Sequence, residues 1–172
     1  MLVIRTPTSR TTPDPAQGGT AVTGPTNTGH SGSSCVATGD DIGVSEEKSC
    51  IWQGFGAAPA GTKTAITLKV THTSSGGVSG GTATNQFQLE YSLNGGAGWN
   101  TAVSRINMTT SQGPTVFSVS LPLSQDLTQV RVRDFIQASA VSAGHNASAS
   151  ATISDIQIEI VVRPRLTSPT LF

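Results

Sequence analysis

Few residues in this sequence have the type and spacing that chemistry requires. The pentapeptide Gly77-Val78-Ser79-Gly80-Gly81 fits G-x-S-x-G, in which a strand-to-helix turn exposes a nucleophilic serine. No helical period follows it, so a chance match in a Gly/Ser-rich loop is the favoured interpretation. The histidines His30, His72 and His145 lack metal-ligand spacing and are interpreted as surface residues. The sequence therefore predicts a protein that is not an enzyme.

Acidic residues near position 40 form a second candidate site. Asp40, Asp41, Glu46 and Glu47 offer the hard oxygen ligands that calcium prefers, and Asp155 could complete the set. The full ligand spacing of a calcium loop is absent, so a solvated acidic loop is favoured over a metal site. No cofactor is predicted.

The larger aromatic residues could form a platform for sugar rings. Trp52, Phe55, Tyr91 and Trp99 have the flat apolar faces that stack on a saccharide. Aromatic residues make up only 5% of the chain, however, and a core of otherwise small side chains needs them. Core filling is therefore favoured over ligand binding, and Trp99 is predicted to be buried against the strand of Leu89 and Tyr91.

The two cysteines, Cys35 and Cys50, have no histidine close to them in sequence. Structural zinc usually needs four nitrogen or sulfur ligands, so these thiols make a poor metal site. Two reduced cysteines on adjacent strands are the favoured interpretation. A disulfide stays open as the alternative because spacing does not decide between them.

Length and composition restrict the class of protein. The chain has 172 residues, of which 35% are hydrophobic and only 12% charged. Its many Thr residues favour strands and its Gly and Pro residues favour turns, so an all-β protein with polar loops is predicted. A formal net charge of +0 supplies no field for nucleic acid. No apolar run reaches the roughly 20 residues that span a bilayer, so no membrane partner is predicted.

The beginning of the chain shows no export signal. Met1-Leu2-Val3-Ile4 is apolar, but no basic region precedes it and no extended apolar core follows. Two interpretations stay open: a protein that does not use that export route, or a chain whose signal was removed and replaced by Met.

The stretch from Gln86 to Val103 predicts a β-hairpin at the centre of the fold. Phe87, Leu89, Tyr91 and Leu93 alternate with polar residues, which is the period of a strand with one buried face. The residues assigned to the turn and its return strand are Asn94, Gly95, Gly96 and Trp99, and the first three tolerate a tight reversal.

Other alternating runs extend this pattern along the chain. Strands are predicted around 35–37, 50–52, 65–73, 115–121, 129–136 and 156–162, with a bulge or strand end at Asp134 and a helical turn near 124–127. About eight strands with long connections predict a two-sheet antiparallel jelly-roll sandwich. Its predicted limits are residues 34–162.

Both ends of the chain are predicted to be extended arms. Residues 1–33 and 163–172 are rich in Pro, Thr and Ser and poor in apolar residues. Arginine suits interfaces because it pairs with carboxylates in bidentate fashion, and apolar chain ends can anchor in a neighbour. The predicted interface residues are Leu2, Val3, Ile4, Arg5, Arg10, Arg163, Arg165, Leu171 and Phe172.

Several short stretches, taken in their order, resemble a known class of domain. They are Gly39-Asp40-Asp41, the run from Ser49 to Gly56, Pro59-Ala60-Gly61-Thr62, the run from Tyr91 to Trp99, Val130-Arg131-Val132-Arg133, and the run from Ala149 to Ile160. Together they resemble jelly-roll domains in structural proteins of tailed bacteriophages. The resemblance covers residues 39–161 and implies a role in the virus particle.

The hairpin alone resembles a second pattern. Asp-box hairpins of sialidases read Ser/Thr-x-Asp-x-Gly-x-x-Trp, and here Ser92, Gly96 and Trp99 match while Asn94 replaces Asp. Asp boxes stabilise the fold away from catalytic sites and usually recur in propellers. This chain is too short for a propeller, so the resemblance implies only the geometry of the hairpin.

Two functions from different classes follow. The favoured one is a non-enzymatic virion structural protein, a capsid decoration or tail-associated subunit that binds copies of itself and other virion proteins such as the major capsid protein. The alternative is an extracellular carbohydrate-binding module or adhesin domain, for which a glycan would be the partner.

Overall fold

The computed structural model describes residues 1–11, 30–39, 44–79, 84–107, 112–140 and 145–163. These residues form ten strands and one 3-10 turn, Leu127–Gln129. The strands are β1 Leu2–Arg5, β2 Ser9–Thr11, β3 His30–Gly39, β4 Val44–Gln53, β5 Thr62–Ser79, β6 Thr84–Ser92, β7 Asn100–Asn107, β8 Gln112–Ser120, β9 Arg131–Ala140 and β10 His145–Arg163. Within these ranges no helix has the length and hydropathy needed to cross a membrane.

The strands form two antiparallel sheets, as predicted. Sheet I has the order β1-β10-β5-β8, and β3 pairs with the first half of β10. Sheet II has the order β2-β4-β9-β6-β7. All pairings are antiparallel, and the chain folds as the predicted jelly-roll sandwich.

The core lies between the sheets and follows from the alternation in the sequence. In β5, Ile66, Leu68 and Val70 are buried, and β10 contributes a matching row of isoleucines from Ile156 to Ile160. Sheet II adds Phe87, Leu89, Val132 and Ile136, among others. Side chains in a strand alternate between faces, so one face of each sheet closes the core and the other faces outward.

The predicted hairpin is confirmed. β6 and β7 pair with each other, and Phe87 and Leu89 are fully buried. In the turn, the Asn94 Oδ1 accepts hydrogen bonds from the Ser92 hydroxyl and the Gly98 amide, both at 2.8 Å. Gly95 and Gly96 have φ values of 73° and 96°, which explains why glycine stands there.

The first eleven residues differ from the predicted arm. Leu2–Arg5 pair with β10, and Ser9–Thr11 pair with β4, so both segments are edge strands of their own sandwich. Val3 packs against the core, and the Thr8 amide donates to the Gln53 carbonyl at 3.1 Å. Backbone pairing holds these segments without many apolar side chains, which a composition argument does not detect.

Asp134 also differs from its prediction. It points inward as expected, but β9 continues through it with a regular register against both β4 and β6. A carboxyl group between two strands does not need a bulge when a backbone amide satisfies it, and the Cys50 amide does so here.

The two cysteines lie on strands of different sheets. Cys35 is in β3 of sheet I and Cys50 is in β4 of sheet II, where its side chain is fully buried. The predicted placement on adjacent strands is therefore wrong, because the chain changes sheets between β3 and β4. The side chain of Cys35 lies outside the described residues.

Candidate functional site

The G-x-S-x-G stretch does not form a nucleophile turn where the structure describes it. Gly77, Val78 and Ser79 are the end of β5 and pair with Ser148, Ala147 and Asn146 of β10. Gly80 and Gly81 lie outside the described residues. The first three positions of the motif thus belong to a strand pairing.

His72 is buried, which corrects its prediction as a surface residue. Its ring stacks on Phe87 with centroids 5.0 Å apart, and no described residue hydrogen-bonds to either ring nitrogen. Burial lowers the pKa of His72 below its ordinary value of 6.5. The signal was present in the sequence, since extending the alternation Leu68, Val70 by one step places His72 inward. The side chains of His30 and His145 lie outside the described residues.

The predicted calcium ligands are divided between the two sheets. Glu46 and Glu47 lie in β4 of sheet II, while Asp155 lies in β10 of sheet I. Asp40 and Asp41 fall outside the described residues. Within the described part, no group of three or more His, Cys, Asp and Glu is arranged to hold a metal ion.

A buried carboxyl group, Asp134, is a feature that sequence reasoning located but did not explain. Its Oδ1 accepts from the Cys50 amide at 2.9 Å, and its Oδ2 has no hydrogen-bond partner among the described residues. Burial raises its pKa to about 7, against the opposing effects of the amide hydrogen bonds and the charge of Arg10. The group is fully buried, so it acts on stability rather than on a ligand.

Arg133 is the centre of the outer face of sheet II. Its neighbours Val132 and Asp134 are buried, so alternation directs Arg133 outward. Its Nε donates to the Glu90 carboxylate, directly across from it on β6. Its guanidinium carbon lies 3.9 Å from the centroid of the Trp99 ring and 4.7 Å from that of Phe135. Arg133 is thereby fixed by an ion pair and two aromatic contacts.

Carboxamides extend this outer face along β6, β7 and β9. Arg105 donates from Nε to Gln88 at 3.2 Å and from Nη1 to Gln137 at 3.4 Å. Gln88 in turn donates to Glu90 at 3.0 Å. The resulting row, here called the polar face, is Arg105, Gln88, Gln137, Glu90, Arg133, Trp99 and Phe135. Amide, carboxylate and guanidinium groups can form hydrogen bonds with the hydroxyl groups of a ligand.

The aromatic residues divide between core and surface. Trp52 and Phe55 are buried in the core as predicted, and Tyr91 packs partly against it. Trp99 is not part of this core, because its ring stacks with Arg133 on the outer side of sheet II. The prediction that Trp99 is buried against Leu89 and Tyr91 is therefore wrong. The Trp99 ring contacts the guanidinium group of Arg133, whereas Leu89 and Tyr91 were the residues expected to cover it.

The outer face of sheet I has a different character. Leu2 and Ile4 of β1 are 56% and 48% exposed, and Val161 of β10, which is the cross-strand partner of Leu2, is 40% exposed. These three residues are here called the apolar row. Beside the row, Lys69 and Glu159 form an ion pair with a distance of 2.8 Å. Each member of the row is an apolar side chain held outward by a paired strand.

Two of the predicted interface arginines, Arg5 and Arg10, interact with their own chain. Arg5 donates from Nε to the Ala57 carbonyl at 3.2 Å, and Arg10 lies opposite Trp52 in the β2–β4 pairing. Arg163 is the exposed last residue of β10. Arg165, Leu171 and Phe172 lie outside the described residues. Leu2 and Ile4 are thus the predicted interface residues that the structure shows as exposed apolar groups.

Comparisons with known proteins give fold-level likeness only. No protein family and no curated protein matches the chain. Among solved structures, TmCBM61 in complex with beta-1,4-galactotriose has 11% identity and a TM-score of 0.35, covering 91% of this chain and 86% of that one. A cyclase from Fischerella sp. TAU has 12% identity and a TM-score of 0.34, covering 95% and 90%. A protein of infectious bursal disease virus, Gx strain, has 8% identity and a TM-score of 0.29, covering 93% and 37%.

Values this low do not transfer a ligand or an activity to this chain. The assignment of the fold rests on the strand pairing itself.

Proposed function

We propose that the protein is a non-enzymatic structural subunit of a bacteriophage particle, either a capsid decoration protein or a tail-associated protein. Its partners are copies of itself and other particle proteins such as the major capsid protein. The observation that carries the proposal is the apolar row, in which Leu2, Ile4 and Val161 stay exposed on paired strands. Rows of exposed apolar side chains on a rigid surface are typical of protein–protein interfaces.

The geometry of β1 supports this role. The Val162 amide donates to the Met1 carbonyl at 2.9 Å, so Met1 and Val162 are a hydrogen-bonded pair. Such pairs alternate along antiparallel strands, so the backbone groups of Leu2 and Ile4 point away from β10, toward the side of β1 on which the described residues place no strand. A partner that covers the row can therefore gain both apolar contact and backbone hydrogen bonds.

Purified particles of a phage that encodes this chain test the proposal. We expect peptides of the chain in gradient-purified particles, at a copy number comparable with that of known structural subunits. Recombinant protein should bind particles that lack it, and the double variant L2S/I4S should bind them at least roughly tenfold more weakly because it loses the apolar contact. The matched control is L123S in the loop after β8, which removes another exposed apolar residue. Absence of the chain from the particles would overturn the proposal.

Carbohydrate binding is the second candidate, and the polar face favours it. Gln88, Gln137 and Glu90 offer groups that bind sugar hydroxyls, and the edges of Trp99 and Phe135 offer apolar contact. A glycan array followed by calorimetry tests this function. Binding that is lost in Q88A and W99A but kept in L2S/I4S would favour it over the structural role.

A further inference from the structure

The strand β8 is the last strand of sheet I in the part of the chain that the structure describes. Among the described residues it pairs only with β5, and its nine residues, Gln112–Ser120, contain no charged side chain. Exposed edge strands are usually protected by charges, bulges or a covering segment. The last strand of sheet II shows such protection, since β7 carries Arg105 and two register shifts in its pairing with β6.

The direction of the free backbone groups of β8 follows from one hydrogen bond. The Leu121 amide donates to the Ile66 carbonyl at 2.8 Å, and the register then alternates regularly back to Thr115 and His72. In an antiparallel pair every second residue directs its amide and carbonyl to the partner strand. The backbone amides and carbonyls of Val119 and Phe117 thus point toward β5. Those of Val116, Ser118 and Ser120 point in the opposite direction, toward the outer edge of the sheet.

Two prolines limit this outer edge symmetrically. Pro114 and Pro122 each lie four residues from Ser118, one on either side. Proline has no amide hydrogen, so neither can donate to an added strand. The donors available to a partner are therefore the amides of Val116, Ser118 and Ser120, centred on Ser118.

This pattern is self-complementary. If a second β8 lies antiparallel with Ser118 opposite Ser118, then Val116 lies opposite Ser120, and Pro114 lies opposite Pro122. Every available donor then meets an acceptor, which gives about six backbone hydrogen bonds across a twofold axis. No like charges oppose each other, and Lys69, the residue beside Ser118 on β5, is already paired with Glu159.

We propose that two copies of this chain associate through their β8 strands, antiparallel and centred on Ser118, so that the two copies of sheet I form one continuous sheet. Val116, 57% exposed, packs across this junction. The proposal goes beyond the structural role, because it needs neither a particle nor the apolar row. It also uses each β8 edge once, so it ends at a dimer instead of a fibre.

Introducing a charge at Ser118 tests the proposal. The wild-type full chain should show a concentration-dependent dimer by sedimentation equilibrium and native mass spectrometry. S118K and S118E should each dimerise at least roughly fivefold more weakly than the wild type, because identical charges meet at the twofold axis. An equimolar mixture of the two variants should restore dimers that contain one copy of each.

The matched control is T101K, which adds a charge at an exposed position of β7, the corresponding edge strand of sheet II, and should leave the dimer unchanged. If the wild type remains a monomer at high concentration, the proposal is overturned. That result is expected if another segment of the chain covers the edge of β8. Dimers that persist in S118K and S118E would also overturn the proposal. Dimers lost in L2S/I4S but kept in S118K would assign association to the apolar row, leaving the structural role intact while removing the β8 interface.

Discussion

The outer faces of the two sheets are built from different chemistry although their inner faces close one core. On sheet II, Arg133, Glu90, Gln88 and Arg105 form a connected network over Trp99 and Phe135. On sheet I, the exposed apolar side chains of the apolar row lie beside the ion pair of Lys69 and Glu159. Alternation within each strand decides which residues face the core and leaves the outward residues free to vary. The two outer faces therefore differ in the chemistry that they present to the surroundings.

The inner faces differ as well, since each carries a buried ionisable group of opposite type. Asp134 extends inward from sheet II and His72 from sheet I. Burial disfavours the charged form of both, so it raises the pKa of Asp134 and lowers the pKa of His72. The titration of Asp134 should therefore lower the free energy of unfolding as the pH rises, whereas the titration of His72 should lower it as the pH falls.

The largest expected effect belongs to Asp134. Its pKa is raised from 3.8 to about 7 by burial, so the stability that it contributes is present below pH 4 and is lost as the pH rises toward 7. Relative to Asp134→Asn, the wild type should lose up to about 1.4 kcal/mol per pH unit over this range. Urea unfolding at several pH values measures the difference. Parallel curves for the two proteins would show that folding does not shift the pKa of Asp134.

His72 should show the opposite sign. Because burial lowers its pKa, the contribution of neutral His72 is present above pH 6.5 and is lost as the pH falls below that value. His72→Phe keeps an aromatic ring against Phe87 and cannot titrate, so it should remove this acid-side loss. The same urea series measures it, and a wild-type curve that falls below pH 6 no faster than that of the variant would contradict the prediction.

The ion pairs on the outer faces should differ in strength. The Arg133 and Glu90 side chains are 25% and 12% exposed, whereas those of Lys69 and Glu159 are 34% and 24% exposed. Arg133→Ala leaves Glu90 without its charged partner, with only the hydrogen bond from Gln88, and removes the contacts with Trp99 and Phe135, so it should cost about 2–3 kcal/mol. Lys69→Ala should cost less than about 1 kcal/mol. Urea unfolding measures both losses. If the two variants lose the same free energy of unfolding, the hydrogen bonds and aromatic contacts around Arg133 add no stability beyond that of an isolated ion pair.

The sequence predicts the strands correctly where apolar and polar residues alternate over a long run. The hairpin of β6 and β7, the strand of Ile66 to Val70 and the closing strand of Ile156 to Ile160 were all placed by their period of two. Edge strands β1 and β2 were missed because hydrogen bonds to β10 and β4, rather than apolar side chains, hold them.

The candidate site was harder to predict than the fold. Trp99 was expected in the core because aromatics are scarce, yet its contact is Arg133, a residue 34 positions away that only the pairing of β6 with β9 brings near. The polar face joins three strands, so it depends on a register that no local pattern encodes.

The turn that leads to Trp99 offers a more modest test. Gly95 has a φ of 73°, its amide donates to the Gln129 carbonyl at 2.9 Å, and an added methyl group would meet the Gln129 Oε1 at 2.8 Å. Gly95→Ala should therefore cost about 1–2 kcal/mol. Gly113 of β8 is the control on sheet I, because its added methyl group meets no atom within 4 Å. Gly113→Ala should leave the melting temperature nearly unchanged, and an equal fall in both variants would remove the argument from φ and contact.

The smallest expected effect belongs to the apolar row. Leu2 and Ile4 are 56% and 48% exposed, and threonine keeps a strong preference for strands, so Leu2→Thr and Ile4→Thr should each change the free energy of unfolding by less than about 0.5 kcal/mol. Val3 lies between them and packs against the core, so Val3→Thr should cost about 1 kcal/mol or more. Urea unfolding of dilute monomer compares the three variants. If the outer positions cost as much as Val3, the row would be part of the monomer's own packing, and its exposed side chains would no longer argue for a partner on sheet I.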